Sequence, residues 1–360
     1  MNNKLGTKLK ELRESKGMSL QDLGAHVGVS KQTIHCYENF QKKPSSSTII
    51  RLAKTFGVHP SFFFQEKEIE INIGSINFRE EFNFENKSYI FKQIQDKSKK
   101  HLINMFELKA LLDLDNEFIN PIEGLEIRTK KDVEKAAKNI RKKWHLGYAP
   151  ISNITSMIEN NGISVIELDI NNGFMGISGY VNSKIPFIVI NESFKDITRK
   201  RFTLLHELGH LTLAFHDNLD DNIIEQLCNH FAGALLLVEN TLKAELGVNR
   251  TQVSIAELRA IKEKYGISIK AIIMRARYTD IISKNTQKAW FDSYNERYLD
   301  PTDSTNFGIY SGVEKPAFFD KLLYRGIHEQ RFTWGKAARL KSTKIDILEK
   351  ELNDLTFNIN

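Results

Sequence analysis

Arg201-Phe202-Thr203-Leu204-Leu205-His206-Glu207-Leu208-Gly209-His210 is the stretch on which the reading of this chain turns. On a helix, a spacing of four residues places His206 and His210 on one face and aims two imidazoles at one point, the start of a metal site. Glu207 falls beside that point, where a carboxylate can take a proton from a water polarised by the metal. The motif therefore points to hydrolysis. Leu204, Leu208, Leu211 and Phe215 form an apolar stripe at i, i+4, i+7 and i+11, which predicts an anchored helix running through Phe215. Asp196 or Thr198 is placed to cap its start. Gly209 costs about 1 kcal/mol relative to Ala in a helix, so a close approach of another backbone or of a substrate is expected there.

Catalytic zinc takes three protein ligands, so a third donor is needed. His216 follows His210 by six residues, the metzincin spacing, but Leu213 stands where those enzymes turn the chain with a glycine. Glu225 opens a second apolar helix, Ile223 to Val238, in a row with Asn229, Ala232 and Leu236, with Gln226 and His230 on the opposite, wetter side. A carboxylate in such a row is expected to be drawn out of solvent, and Gly233 and Ala234 permit close helix packing. Tyr180 and His216 are the candidates for an additional oxyanion donor, against their ordinary roles as core tyrosine and surface histidine.

Around this helix the pattern is α+β. Helices are expected from Val133 to Trp144 and from Pro150 to about Asn160, then strands at Ser164–Leu168, Gly176–Val181 and Phe187–Ile190. The last strand, Phe187–Asn191, is a candidate to accept an extended substrate by strand addition. The segments Arg201 to His210 and Glu225 to Leu236, with Trp144-His145-Leu146-Gly147, Ile151, Gly162-Ile163 and Ile190-Asn191, resemble the ImmA/IrrE metallopeptidases over residues 131–240. That resemblance implies a zincin-like fold with His206, His210 and Glu225 as metal ligands and Glu207 as general base. It also implies a protein substrate, typically an XRE-type repressor, whose cleavage relieves repression under stress or on activation of a mobile element. The family commonly has Pro after the second helix, where this chain has Val238-Glu239. Two His and a carboxylate suit Zn²⁺ and also accept Mn²⁺ or Fe²⁺.

Residues 5 to 64 read as five short helices, with Leu5, Leu9 and Leu12 on one face, then Leu20, Leu23 and Val27, then Ile49, Leu52, Ala53 and Phe56. Ser19 with Asp22 forms a capping box, Ser30 is an N-cap, and Val27-Gly28-Val29-Ser30 is the turn of a helix-turn-helix. Through Met18 to Leu23, Gly28-Val29-Ser30, Ile34, Tyr37-Glu38-Asn39 and Leu52-Ala53 this segment resembles the Cro/C1-type (XRE) helix-turn-helix family. The likeness implies that Lys31, Gln32, Thr33 and Cys36 face the major groove of double-stranded DNA. Leu20 stands where the family often carries a phosphate-holding Gln, which implies rearranged docking contacts.

The charge agrees. Residues 1–64 hold ten Lys/Arg and four Asp/Glu, all of the formal net charge of +6, while the rest balances at 41 of each. A basic patch of that kind is the footprint expected for a phosphate backbone. At 360 residues and 41% hydrophobic the chain suits two or more globular domains. No apolar run approaches the roughly 18 residues that span a bilayer, and the N-terminus lacks the apolar core of a secretion signal. A cytoplasmic protein with no membrane partner is expected, with Cys36 and Cys228 as buried thiols rather than a disulfide.

The expectation is thus a multidomain chain: an all-α five-helix DNA-binding domain over 1–66, a connector and packing helix over 67–128, an α+β metallopeptidase domain over 129–285, and a mainly helical extension over 286–360. In the connector, Ile69, Ile71 and Ile73 suggest a strand, and Tyr89 to Leu114 a helix. In the extension, Asp300–Gly312 is turn-rich and Arg331 to Leu340 begins a last basic helical unit. The function that fits is a metal-dependent regulatory endopeptidase, with a homodimer left open. The alternative is a non-proteolytic XRE-type regulator or antitoxin that keeps the peptidase fold as a scaffold, or a helix-turn-helix that recruits protein rather than DNA.

Overall fold

A computed structural model describes residues 4–58, 60–64, 76–78, 87–115, 117–170, 174–193, 196–297 and 308–356. The expected strand at Ile69–Ile73 and most of the turn-rich Asp300–Gly312 lie outside them. The chain divides into two compact units, one of Met1–Asn72, Lys100–Asn116 and Ala317–Asn360, the other of Ile73–Lys99 and Glu117–Pro316. Among the described residues, no helix is long and apolar enough to cross a membrane.

The first unit opens with α1 (Lys4–Ser15), α2 (Leu20–Val27), α3 (Lys31–Glu38) and α4 (Ser46–Phe56), and a 3-10 turn, Pro60–Phe64, stands for the fifth expected helix. Leu9, Leu23, Val27, Ile34, Leu52 and Phe56 form its core. Ser19 and Asp22 close the capping box, Ser30 caps α3, and Arg13 ties α1 to α3 by bonds of 2.7 and 2.9 Å to the Glu38 carboxylate.

In the second unit, β1 (Ile76–Phe78) and the first part of α5 (Lys87–Leu111), whose residues from Lys100 on belong to the first unit, precede β2 (Glu126–Ile127), α6 (Lys130–Lys143) and α7 (Ile154–Asn160). Then β3 (Ser164–Leu168), β4 (Gly176–Val181) and β5 (Ile185–Asn191) lead into α8 (Ile197–Thr212), β6 (Ala214–Phe215) and α9 (Asp221–Leu236). The three expected strands are present with most of their residues buried, and the sheet runs in the order β1-β4-β5-β3, with β3 parallel to β5 and the other pairs antiparallel. Because β5 is bonded on both sides, the expectation that Phe187–Asn191 accepts a substrate strand is overturned.

Asp196 caps α8, its Oδ1 accepting from Thr198 N at 2.8 Å. The helix does not continue through Phe215. It ends at Thr212, and Leu213 adopts an extended conformation that feeds β6 into a parallel pairing with β2. Backbone bonds offered by Glu126–Ile127 thus win over the apolar stripe. α10 (Glu239–Leu246), α11 (Ile255–Tyr265), α12 (Ile269–Tyr278) and α13 (Lys284–Arg297) complete the unit.

Buried guanidiniums hold α8 and α9 in place. Arg141 of α6 donates at 2.6 Å to Leu235 O at the end of α9, and Arg275 of α12 donates at 3.2 and 3.1 Å to Leu237 O, so two carbonyls at that helix end are satisfied. Arg201 of α8 is fully buried, pairs with Glu314 and donates to Ile151 O at 2.6 Å. Glu314 in turn accepts from the amides of Ile154 and Thr155 at 3.0 and 2.9 Å, capping α7 from a distant segment.

The chain returns to the first unit with α14 (Phe318–His328), α15 (Trp334–Lys341) and α16 (Ile345–Thr356). The basic residues of α15 are used in packing: Lys336 and Arg339 pair with Glu107 of α5.

Arg201→Met should leave the Glu314 charge buried without its partner and cost about 3–5 kcal/mol. Urea unfolding of the two proteins checks this, and a loss below about 1 kcal/mol would contradict the anchoring role.

Candidate metal centre

α8 presents His206 and His210 one turn apart, and α9 packs against it at the level of Gly209. A Cβ on Gly209 would stand 3.1 Å from Phe231 Cδ1, 3.3 Å from Cys228 Sγ and 3.5 Å from Cys228 Cα. The close approach expected at this glycine is therefore made by α9. It brings Glu225 to the two histidines: His206 Nε2 lies 3.1 Å from Glu225 Oε2, His210 Nε2 lies 2.9 Å from Glu225 Oε1, and the two Nε2 atoms are 3.0 Å apart.

These three side chains are the one group of potential metal ligands of this kind among the described residues. Tetrahedral ligands about 2.0–2.1 Å from an ion lie about 3.3 Å from one another, so the observed separations fit a divalent ion to within a few tenths of an ångström. Two imidazoles and a carboxylate are donors suited to a divalent ion, and His206 and Glu225 also line the adjoining cleft.

Two further α9 residues fix the rings. Asn229 Oδ1 lies 3.1 Å from His206 Nδ1, where it can accept a ring proton and orient the imidazole with Nε2 facing Glu225. Cys228 Sγ lies 3.4 Å from His210 Nδ1, on the side away from Glu225. Asn229 was legible only as the residue one turn beyond Glu225 on the same face, and Cys228 only as a buried thiol. Of the two cysteines, Cys228 is buried while Cys36 is half-buried, and neither forms a disulfide.

Glu207 is buried against β4. A Cβ on Gly176 would stand 2.8 Å from Thr203 Cγ2 and 3.3 Å from Glu207 Cγ, so this strand passes over α8 only because residue 176 is glycine. Burial pushes the Glu207 carboxyl above its ordinary value, against the opposing pull of His206, His210 and a hydrogen bond from Ser178. For His206, burial acts to lower the pKa, but the hydrogen bond to Glu225 and the charge of Glu207 outweigh it and hold the ring above its ordinary value. A cleft of about 310 Å³, lined among others by Gly176, Ser178, Arg199, His206, Glu207 and Glu225, gives access to these groups.

Other sequence candidates lie elsewhere. His216 is drawn toward β2, its Nε2 3.8 Å from Glu126 and its Nδ1 accepting from Asn218 N at 3.3 Å. The Tyr180 hydroxyl donates to Leu211 O at 2.6 Å, which ties β4 to α8. His230, expected on a wet face, is instead buried between Glu134 of α6 and Tyr278 of α12. In the first unit, Lys31 and Gln32 are exposed at the start of α3, Thr33 and Cys36 are half-buried, and the Thr33 hydroxyl is engaged by Ser30 at 2.9 Å.

Residues 158–277 match the family model described as the IrrE N-terminal-like domain, of the peptidase M78 family, and residues 9–63 match a helix-turn-helix family model. No curated protein matches the sequence. Among solved structures, the crystal structure of Bacillus thuringiensis PlcR in complex with the peptide PapR7 and DNA is matched over 100% of both chains at 12% identity and a TM-score of 0.17, and a superposition that loose supports no conclusion.

If Asn229 sets the His206 tautomer, Asn229→Ala should weaken zinc affinity about 10- to 100-fold, measured by competition with a chromophoric chelator. Asn229→Asp should retain most of it, and unchanged affinity in the alanine variant would contradict the role.

Proposed function

We propose that this chain, in which residues 158–277 are an IrrE N-terminal-like domain and residues 9–63 a helix-turn-helix domain, is a metal-dependent endopeptidase that cuts a transcriptional repressor. The observation that carries the reading is the convergence of His206, His210 and Glu225 on one point, with Glu207 beside it in an accessible cleft. A divalent ion held there, Zn²⁺ first and Mn²⁺ or Fe²⁺ by the same donors, supplies Lewis-acid polarisation of the scissile carbonyl and of the attacking water.

The chain's own residues do the rest. Glu207 takes the proton of the attacking water and returns it to the leaving amine, and the burial that raises its proton affinity suits a group that must do both. Asn229 and Cys228 keep the two imidazoles turned toward Glu225. The β4 residues Gly176 to Ser178 form a wall of the cleft beside Glu207, where a polypeptide would pass.

The substrate we assign is an XRE-type repressor, from the likeness of the two domains to families in which such a peptidase and such a DNA-binding domain occur together. The chain itself would contact duplex DNA through α3, with Lys31, Gln32, Thr33 and Cys36 toward the major groove and the excess positive charge of residues 1–64 toward phosphates.

Glu207→Gln should retain one equivalent of metal and lose about 10²- to 10⁴-fold in cleavage rate. Mapping of new protein N-termini in cells carrying either form should reveal a repressor cut only by the wild type. A wild-type protein without stoichiometric metal, together with a Glu207→Gln form that keeps every cellular effect, would contradict the peptidase reading.

Duplex binding should fall steeply with added salt, and Lys31→Ala should reduce the slope of log K against log salt by about one. Absence of duplex binding at low salt would reject the DNA-binding part.

A further inference from the structure

The second face of α9 looks into a different cleft. It has a volume of about 1050 Å³ and is lined by α6, α9, α10 and the end of α12, including Lys130, Lys131, Lys135, His230 and Tyr278. We propose that this cleft binds a small phosphorylated molecule of nucleotide size that also carries a hydroxyl or amino donor.

The charge balance favours an anion. Four acidic residues line the cleft, and each is already engaged. Asp132 accepts from the amides of Arg128 and Thr129 at 3.2 and 2.9 Å, and Glu134 pairs with Arg275 and His230. Glu239 pairs with Lys243 at 2.5 Å, and Asp280 with Arg277 at 3.1 Å. Among the described residues, Lys130, Lys131 and Lys135 have no ion pair, and Lys130 lies 4.0 Å over the Tyr278 ring. Lys131 and Lys135 stand one turn apart on α6 and reach the same cleft, which suits the several oxygens of one phosphate group.

His230 supplies the second half of the recognition. Its side chain is 2% exposed and its Nε2 lies 2.8 Å from Glu134 Oε1. Burial holds the imidazole toward its neutral form despite that carboxylate. Neither Nδ1 nor Nε2 has a hydrogen-bond partner of good geometry among the described residues, and a neutral ring that turns its Nε2 proton to the nearby Glu134 carboxylate presents an acceptor at Nδ1. A buried acceptor left unsatisfied is costly, and an O–H or N–H of a ligand would satisfy it. The Tyr278 ring packs edge-on against His230, centroids 4.8 Å apart, and adds an aromatic wall. The volume is at the upper end of pockets for molecules of this size. None of these residues belongs to the metal centre, although α9 contributes side chains to both clefts.

Isothermal titration calorimetry on the full chain at roughly 150 mM salt, with AMP, glucose 6-phosphate and inorganic phosphate as probes, tests the proposal. AMP or glucose 6-phosphate should bind with Kd below about 1 mM, and the exposed double variant Lys131→Ser/Lys135→Ser should weaken it at least about tenfold. His230→Phe, with its thermal midpoint recorded, should weaken the same ligand without weakening inorganic phosphate. Absence of sub-millimolar binding by both organic phosphates, or binding indifferent to the lysine pair, would overturn the site. So would inorganic phosphate binding as tightly as both, with no effect of His230→Phe on any probe, since that pattern marks only general attraction of anions.

Discussion

The missing Cβ of Gly209 is the constraint on which the centre depends. Where α8 and α9 cross, Cys228 and Phe231 already stand within 3.1–3.5 Å of the place a Cβ would take, so any larger residue would push the helices apart. Interior helices transmit such a shift because they are close-packed. A few tenths of an ångström at Gly209 would move Glu225, one turn before Cys228, away from two imidazoles that it now meets at 2.9 and 3.1 Å. The helix-propensity cost of about 1 kcal/mol at this position is offset by the close packing of Cys228 and Phe231 that the missing Cβ permits.

The same crossing explains why α9 carries so much. Glu225, Cys228 and Asn229 lie within little more than one turn, so a single helix gives one of the three candidate ligands and orients the rings of the other two. Its far end is held by Arg141 and Arg275, whose guanidiniums satisfy the carbonyls of Leu235 and Leu237, and α8 is held by Arg201 through Glu314. These are buried charges with several partners each. They restrict sliding and rotation of the two helices more than apolar contacts do, because a displaced guanidinium would lose directed bonds.

Much of this was legible in the sequence. The strands at 164–168 and 176–181 follow from short apolar stretches between Asn/Gly-rich turns, and α8 follows from a motif whose spacing has meaning only on a helix. Glu225 was legible because it shares a row with Ala232 and Leu236. What could not be read was long-range. The end of α8 at Thr212 depends on a strand partner at 126–127, and His216 is drawn aside by the same partner. That β5 is internal depends on which strands flank it, a property of topology rather than of its own residues. His230 looked wet because the row it shares with Gln226 is polar, and its burial depends on Glu134 and Tyr278, roughly a hundred and fifty residues apart in sequence. Arg201, Arg141 and Glu314 gave no local signal, since a buried arginine and a surface one read alike in a single sequence.

The central claim is that His206, His210 and Glu225 hold a metal ion while Cys228 stays behind His210 as a support. X-ray absorption at the zinc edge of the zinc-loaded protein tests it most directly. The account predicts a first shell of nitrogen and oxygen at about 2.0–2.1 Å, with the outer scattering of two imidazoles. A sulfur scatterer at about 2.3 Å, or an imidazole count other than two, would contradict it.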